Sequence, residues 1–416
     1  MKKMITVFLV ILLVLGCVGC DNSSKTGTDA VVAKREKPLK YGINAHVFEL
    51  RPVMDPSSTL ENIADMTSVL DVEYYRLSTP LESMFDVEEG DKLTFKEGQR
   101  KLVHQVIEKM CAAGITYFVA VSDAPIYPYG YEVTSSGVVP DPVAEKDMYI
   151  RWVKLYAKAW GMIVEEFPEI THVETMNEPD HPNANIFSKQ GHLWGLDDGY
   201  KYDITDKMHM IADMQYYIYK EVKAINKNVY VTTPGLCCLS DEEFSLDYLY
   251  EAIESGAHPY GEDFGDTNPD NYFDYINFHS YLNDLTPDEY YKRCDNFYKA
   301  SERHGDSGKP AILSEWGFTD RDNEGQEQIN GENVIKLLKI FEEKMPYFES
   351  VMLYVLNDYY GYSVEVNEDN FGLFTSFGDP EKPCVPKPVA LEFYKYIHKT
   401  DDVSPLYKYC PEFMSK

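Results

Sequence analysis

Two glutamates have the clearest capacity for chemistry. Glu178 lies in residues 171–179, THVETMNEP, where an apolar-alternating, β-branched run ends in Asn177-Glu178-Pro179. Glu315 lies in residues 311–318, AILSEWGF, a run of buried-strand character that contains Glu315-Trp316-Gly317. Both runs predict strands that deliver a carboxylate at their C-terminal end. They stand 315 − 178 = 137 positions apart, so a shared site needs a fold that gathers distant strand ends. A parallel barrel does this, because all its strands open onto one mouth.

Alone, a strand-end glutamate is more often half of an ion pair than a catalyst. A facing pair is different. Two carboxyl groups across a narrow mouth can cleave a glycosidic bond: one, protonated, helps the leaving oxygen depart, while the other, ionised, attacks the sugar carbon. Arg76 stands at the end of the predicted strand 72–77; an arginine beside one of the two glutamates would hold that one charged and leave the less neutralised one to carry the proton. An ordinary ion pair at the barrel mouth is the alternative for Arg76. His279 and Tyr281 close another predicted strand, 275–281.

The elements that must position these groups alternate along the chain. Strands are predicted at 41–47, 72–77, 115–121, the Glu178 run, 229–233, 275–281, the Glu315 run and 351–356. Between and after them come helices at 55–70, 99–113, 145–166, 207–225, 246–255, 333–344 and 388–398. One more helix opens on Thr286-Pro287-Asp288-Glu289, a capping box with proline at its first position. In 99–113 the residues Leu102, Val106, Met110 and Ala113 share a face; in 145–166 Trp152, Leu155 and Trp160 point inward. This order implies the α/β class and one (β/α)₈ TIM barrel over residues 39–410. Long connections at 125–142 and at 181–205, the latter containing Trp194, are expected over the mouth.

A formal net charge of −30 excludes nucleic acid and an anionic membrane surface as partners, while 44% hydrophobic residues suffice for a large core. The 33 tyrosines suit sugar stacking as well as core packing. Residues 1–19 read as a lipoprotein signal peptide: two lysines, an apolar run at 4–15, then small residues around two cysteines. Cys17 and Cys20 both resemble the lipidated cysteine of a bacterial lipobox, with Cys20 preferred because polar residues follow it at once. Residues 20–38 would then be a polar tether, holding the barrel at the extracellular face of a bacterial membrane through an N-terminal lipid anchor. Cys111, Cys237, Cys238, Cys294, Cys384 and Cys410 form no zinc-spaced pair and read mostly as free buried thiols. Neither a metal nor an organic cofactor is expected.

The chain resembles the clan A glycoside hydrolases, retaining (β/α)₈ enzymes with Asn-Glu-Pro at the fourth strand and a nucleophilic glutamate at the seventh. The resemblance spans nearly the whole barrel. It implies Glu178 as acid/base, Glu315 as nucleophile, Asn177 on the sugar 2-hydroxyl, Arg76 keeping the nucleophile ionised, and Tyr281 hydrogen-bonded to it, with His279 beside it. Gly42-Ile43-Asn44-Ala45-His46, and Asn370-Phe371-Gly372-Leu373-Phe374 followed by Lys387-Pro388, are most similar to family 39, with family 5 close behind. His46, Trp316 and Trp194 enter as substrate-binding residues. The run Leu356-Asn357-Asp358-Tyr359-Tyr360 lacks the tryptophan that many clan members place after strand eight, so Tyr359, Tyr360, Trp316 or Trp194 would supply the stacking face. The implied activity is hydrolysis of an extracellular oligo- or polysaccharide by a monomer. A non-catalytic glycan-binding surface lipoprotein and a transglycosylase of polysaccharide assembly are the alternatives.

Overall fold

The computed structural model describes residues 37–50, 58–122, 126–132, 139–180, 204–238, 244–256, 266–319, 325–359, 370–378 and 384–409. The signal peptide, Cys17, Cys20 and most of the tether lie outside the described residues, as do Trp194, Tyr360 and Cys410.

In chain order the elements begin β1 (Lys40–Asn44), α1 (Leu60–Leu70), β2 (Tyr74–Ser78), α2 (Leu81–Met84), β3 (Phe85–Glu88), β4 (Lys92–Phe95), α3 (Glu97–Ala112), β5 (Tyr117–Val121) and α4 (Lys146–Glu166). They continue with β6 (Ile170–Glu174), α5 (Ile204–Ile225), β7 (Tyr230–Thr232), β8 (Leu236–Cys237), α6 (Ser245–Glu254), β9 (Ile276–Tyr281), α7 (Pro287–Tyr298), α8 (Ala300–Arg303), β10 (Ala311–Gly317), α9 (Gln326–Lys344), β11 (Phe348–Leu353) and α10 (Pro388–His398). Nine of the strands form one sheet in the order β7-β6-β5-β2-β1-β11-β10-β9-β8, and all their pairings are parallel.

The two ends of that order, β7 and β8, are halves of one strand separated only by Thr233-Pro234-Gly235. One half pairs with β6 and the other with β9, so the sheet closes into a barrel of 9 − 1 = 8 strands. Pro234 has no N–H to give to a neighbour. Across the break, Thr233 N donates to Tyr275 O at 2.9 Å on one side and Gly235 N to Met176 O at 3.0 Å on the other. The strand is thus stitched to both neighbours.

Alternation along the strands sorts side chains into two layers. Outward residues such as Ile43, Tyr75, Phe118, Val173, Phe278 and Leu313 join the helices in a buried core that includes Trp152, Leu155 and Trp160 of α4. Each fully buried Leu or Phe is worth about 1.5–3 kcal/mol, so this shell carries most of the stability. Inward residues Tyr74, Val119, Tyr275, Ile312 and Met352 form a separate apolar plug inside the barrel. One step up the same strands the interior changes character: Tyr74 gives way to Arg76, His172 to Glu174, and Ile312 to Ser314.

The expected capping box is present, with Thr286 and Glu289 exchanging hydrogen bonds, and α10 has its expected bounds. Several expectations shift. The buried face of α3 is Val103, Val106, Ile107 and Met110, rotated from the one read in sequence, with Leu102 only half-buried. The β3–β4 hairpin was not foreseen. β6 stops at Glu174, and Asn177 makes only an isolated bridge to Gly235. Of the described cysteines, Cys237, Cys238 and Cys294 are buried free thiols, Cys384 is half-buried and Cys111 is exposed.

His172 sits under the plug with its ring 5.7 Å from Tyr74 and 5.3 Å from both Tyr230 and Tyr275. Burial, opposed by Glu349 and reinforced by Lys40 and Lys223, pushes it down from 6.5 to about 4. An unfolded chain therefore takes up this proton first as pH falls, and stability is lost progressively between pH 6.5 and 4. His172→Phe should flatten the fall of Tm across that window, measured by calorimetry; an unchanged slope would contradict the assignment.

Candidate active site

Arg76 is the centre of the barrel mouth. β2 carries it inward two residues above Tyr74, with its side chain 4% exposed. Its Nε and Nη2 donate to Glu174 Oε2 and Oε1 at 2.8 and 2.5 Å, a fork on a carboxylate that is itself fully buried. Nη2 also donates to Asn177 Oδ1 at 2.6 Å, and Nη1 to Asn44 Oδ1 at 3.2 Å and to Glu315 Oε1. Burial would lower the pKa of the guanidinium, but Glu174 and then Glu315 outweigh it and hold Arg76 charged. Burial likewise works against ionisation of Glu174, yet Arg76 and His279 hold its carboxyl at about 2.

Glu315 is 6% exposed. It reaches the mouth through a β-bulge: Leu313 pairs with Phe278 and Glu315 with His279, so two residues of β10 span one step of β9. Ser314 and Glu315 consequently both face the site. Arg76 donates to one Glu315 oxygen and Tyr281 Oη to the other.

Glu178 stands opposite, half-buried, with φ of 41°. A glutamate in this left-handed region is strained, and neighbouring contacts hold it there. Its N–H donates to Gly235 O at 3.0 Å, and two residues on Asp180 accepts from Cys237 N at 3.0 Å and from Ser245 Oγ at the head of α6. Gly235 is required where the broken strand crosses the site, because a Cβ there would collide with His279 Nε2 and Glu174 Oε1.

His279 links the acids. Its Nδ1 lies 2.8 Å from Glu178 Oε1 and 3.6 Å from Glu315 Oε2, and its Nε2 lies 2.9 Å from Ser314 Oγ. Burial disfavours its charge, but Glu315, Glu174 and Glu178 together raise it to about 10. The Nδ1 proton therefore lies in the hydrogen bond to Glu178. One oxygen each of Glu178 and Glu315 and one His279 nitrogen lie within 4.8 Å of one another. This trio is poorly suited to a metal, since Arg76 and Tyr281 take both Glu315 oxygens and the guanidinium charge opposes a cation.

Of the residues expected from sequence, Glu178, Glu315, Arg76, Asn177, His279 and Tyr281 meet in this one cluster. His46 lies at its rim, 5.8 Å from Tyr354 and 6.1 Å from Tyr359, ring to ring. Trp316 is elsewhere: it faces outward from β10, fully buried, 5.0 Å from Phe341 of α9. It offers no surface for stacking, because the bulge turns Glu315 inward and leaves the next residue to the helix side. Trp194 lies outside the described residues. Sequence reasoning missed Glu174, Ser314, Asp180 and Gly235, together with the aromatic wall of Tyr354 and Phe371 beside Tyr281. Glu174 carried a usable signal, being an acid at an inward position of a strand otherwise fit for burial. Burial, then Glu178 and Asp180, push the Cys237 thiol well up, so it meets these acids as a neutral group.

The profile of the cellulase family, described as glycosyl hydrolase family 5, matches residues 56–347. No curated protein matches the chain. Among solved structures it is similar to a family 1 β-glucosidase from Thermotoga maritima, at 14% identity and TM-score 0.58 over 89% of this chain and 100% of that one. A family 39 glycoside hydrolase from Bacteroides cellulosilyticus WH2 aligns at 17% identity and TM-score 0.53, over 86% of this chain and 63% of that one. A broad-specificity family 5 endoglucanase from Clostridium acetobutylicum aligns at 13% identity and TM-score 0.51, over 80% and 91%. Likeness at these identities is one of fold. The profile falls on the second of the two families expected from sequence.

Glu174→Gln keeps the shape of the fork and removes its charge, leaving Arg76 undercompensated. Breaking such a buried pair should cost about 3 kcal/mol in denaturant unfolding at pH 7. A change under about 0.5 kcal/mol, typical of a surface substitution, would contradict the role given to the pair.

Proposed function

Because the chain belongs to glycosyl hydrolase family 5, and is thus a retaining glycoside hydrolase, we propose that it cleaves β-linked oligo- or polysaccharide by double displacement, with Glu315 as nucleophile and Glu178 as acid/base. The observation that carries this reading is the facing of Glu178 and Glu315, one oxygen of each within 4.8 Å of the other, with Arg76 and Tyr281 on Glu315 and His279 on Glu178. Retaining enzymes hold their carboxyl groups about 5–5.5 Å apart, and inverting ones about 6.5–9.5 Å to admit a water.

Glu315, with a donor on each oxygen, is set to attack the anomeric carbon as an anion. Glu178 gives its carboxyl proton to the departing oxygen, and His279 Nδ1, 2.8 Å away, donates to the carboxylate that is left. The glycosyl ester on Glu315 is then opened by water, which gives its proton to Glu178. Asn177, held by Arg76, is placed for the 2-hydroxyl of the sugar. Tyr354, Tyr359 and His46 supply the aromatic rim in place of a tryptophan. The site of action is outside the cell, on a lipid anchor at Cys20, or failing that Cys17, at the end of the tether.

Wild type should hydrolyse at least one aryl β-glycoside or soluble polysaccharide of a broad panel, and Glu315→Ala and Glu178→Ala should each lose at least about 100-fold in turnover. Azide should separate their roles. In Glu178→Ala it replaces water in the second inversion and should yield a β-glycosyl azide, whereas in Glu315→Ala it enters from the vacated nucleophile's side and should yield the α-azide. Unimpaired turnover by either variant, or identical azide products, would contradict the assignment. For the anchor, Cys20→Ser should move the protein from the membrane fraction to the medium; retention at the membrane would count against lipidation at that residue.

A further inference from the structure

The main chain around Glu178 leaves the pattern of the sheet at one point, and a side chain makes up for it. Gly235 N donates to Met176 O at 3.0 Å and Glu178 N to Gly235 O at 3.0 Å, the two bonds that a parallel ladder makes about the bridge of Asn177 and Gly235. The next bond of such a ladder would run from Cys237 N to Glu178 O. At Glu178, however, φ is 41° and the chain turns out of the strand. Cys237 N donates instead to the carboxylate of Asp180, at 3.0 Å to Oδ1 and 3.1 Å to Oδ2. The Asp180 side chain thus takes the donor that a backbone carbonyl would otherwise have taken.

A further donor fixes that carboxylate. Ser245 Oγ, on the first residue of α6, donates to Oδ2. Burial pushes the Asp180 carboxyl up, while Ser245 and then the N–H of Cys237 oppose it. Lys207, near the start of α5 and 7% exposed, adds a cation on this side: burial lowers its pKa, and the charge of Asp180 works against that lowering. Donors from β8 and α6, and the charge of Lys207 from α5, therefore converge two residues beyond Glu178.

The chain before Glu178 is held as well. Asn177 accepts from Arg76 at 2.6 Å and bridges Gly235. The half-buried carboxyl of Glu178 is thereby sent across the mouth by a backbone pinned on both flanks, and meets His279 there at 2.8 Å. Placement to this degree matters for a proton donor, because a shift of about 1 Å can cost about 100-fold in rate.

Resting on the glycosidase reading, we propose that Asp180 is a positioning residue of the reaction: by accepting from Cys237 N in place of the Glu178 carbonyl, and from Ser245, it fixes the left-handed turn that aims Glu178 at the departing oxygen. Asp180 touches no sugar in this role. It acts through Glu178, so its loss takes the form of a weakened proton donor.

The test varies the leaving group. A phenoxide needs the proton in order to depart, whereas a 2,4-dinitrophenoxide leaves without it, and kcat/KM reports the step in which it departs. This ratio is measured with phenyl and 2,4-dinitrophenyl β-glycosides of the sugar that the wild type hydrolyses, for wild type, Asp180→Ala, Asp180→Asn, Ser245→Ala, Glu178→Ala and the double variant Asp180→Ala/Glu178→Ala. Asp180→Ala should lose about 100-fold on the phenyl glycoside and less than about 5-fold on the dinitrophenyl one. Asp180→Asn, whose amide oxygen still accepts from Cys237 N, should regain most of that loss. Ser245→Ala should lose about 3- to 10-fold, on the phenyl glycoside chiefly. The double variant should be no slower than Glu178→Ala, because both changes act through one carboxyl. Equal losses on the two glycosides in Asp180→Ala, activity within about twofold of wild type on the phenyl glycoside, or additive losses in the double variant would each overturn the inference. If Asp180→Ala does not fold, Ser245→Ala carries the test, and an equal loss on both glycosides, or none, overturns it. Glu178→Ala tells this failure from that of the parent reading: equal losses on both leaving groups in that variant would count against Glu178 as the acid, whatever Asp180 does.

Discussion

A guanidinium placed inside a barrel must find fixed negative charge there, because the water it leaves would otherwise hold it more favourably. Arg76 finds it in Glu174, whose carboxylate is fully buried and takes both prongs of the fork. That pair is the fixed point of the mouth. With Glu174 bound, the remaining guanidinium donors are aimed upward, to Asn44, Asn177 and Glu315, and three separate strand ends are thereby set against one cation. His279 brings in a fourth strand end, that of β9, 3.6 Å from Glu174 and 2.8 Å from Glu178. The arrangement surrounds the two neighbouring glutamates differently, with Arg76 and Tyr281 donating to Glu315 and His279 set against Glu178.

Regular strands alone could not build this. A strand turns alternate residues inward, which allows one functional side chain per two positions. The bulge in β10 brings Ser314 and Glu315 inward together, and the break at Thr233-Pro234-Gly235 lets a backbone without side-chain bulk pass beside His279 and Glu174. The left-handed Glu178 turns its carboxyl across the mouth after the strand proper has ended. Each irregularity is held by hydrogen bonds to its neighbours, so the strain is supported by the regular barrel around it.

This division also explains what the sequence could reveal. Strand and helix periodicity is a short-range signal, and it located all eight barrel strands and the glutamates at the fourth and seventh strand ends. The capping box at Thr286 and Glu289 and the span of α10 were legible for the same reason. The β3–β4 hairpin was missed although Phe85, Val87, Leu93 and Phe95 alternate around Glu89-Gly90-Asp91, because the barrel pattern left no place for it. Trp316 was misplaced because a bulge leaves no mark in a run of apolar residues. Glu174 was overlooked because its partner is 98 positions away, and no local pattern records that distance. The ion pair of Lys387 with Asp358, at 2.9 Å, is likewise a long-range fact, its partners lying 29 positions apart in the chain.

The chemistry turns on whether Glu315 is close enough to attack the sugar itself or leaves room for a water. Proton NMR of the first product released from a β-linked substrate answers this directly, because the anomers are resolved before they interconvert. Two displacements at one carbon predict that the β-anomer is formed first, with the α-anomer growing in only by mutarotation. An initial α-product would mean a single inversion, and would contradict the roles assigned to Glu178 and Glu315.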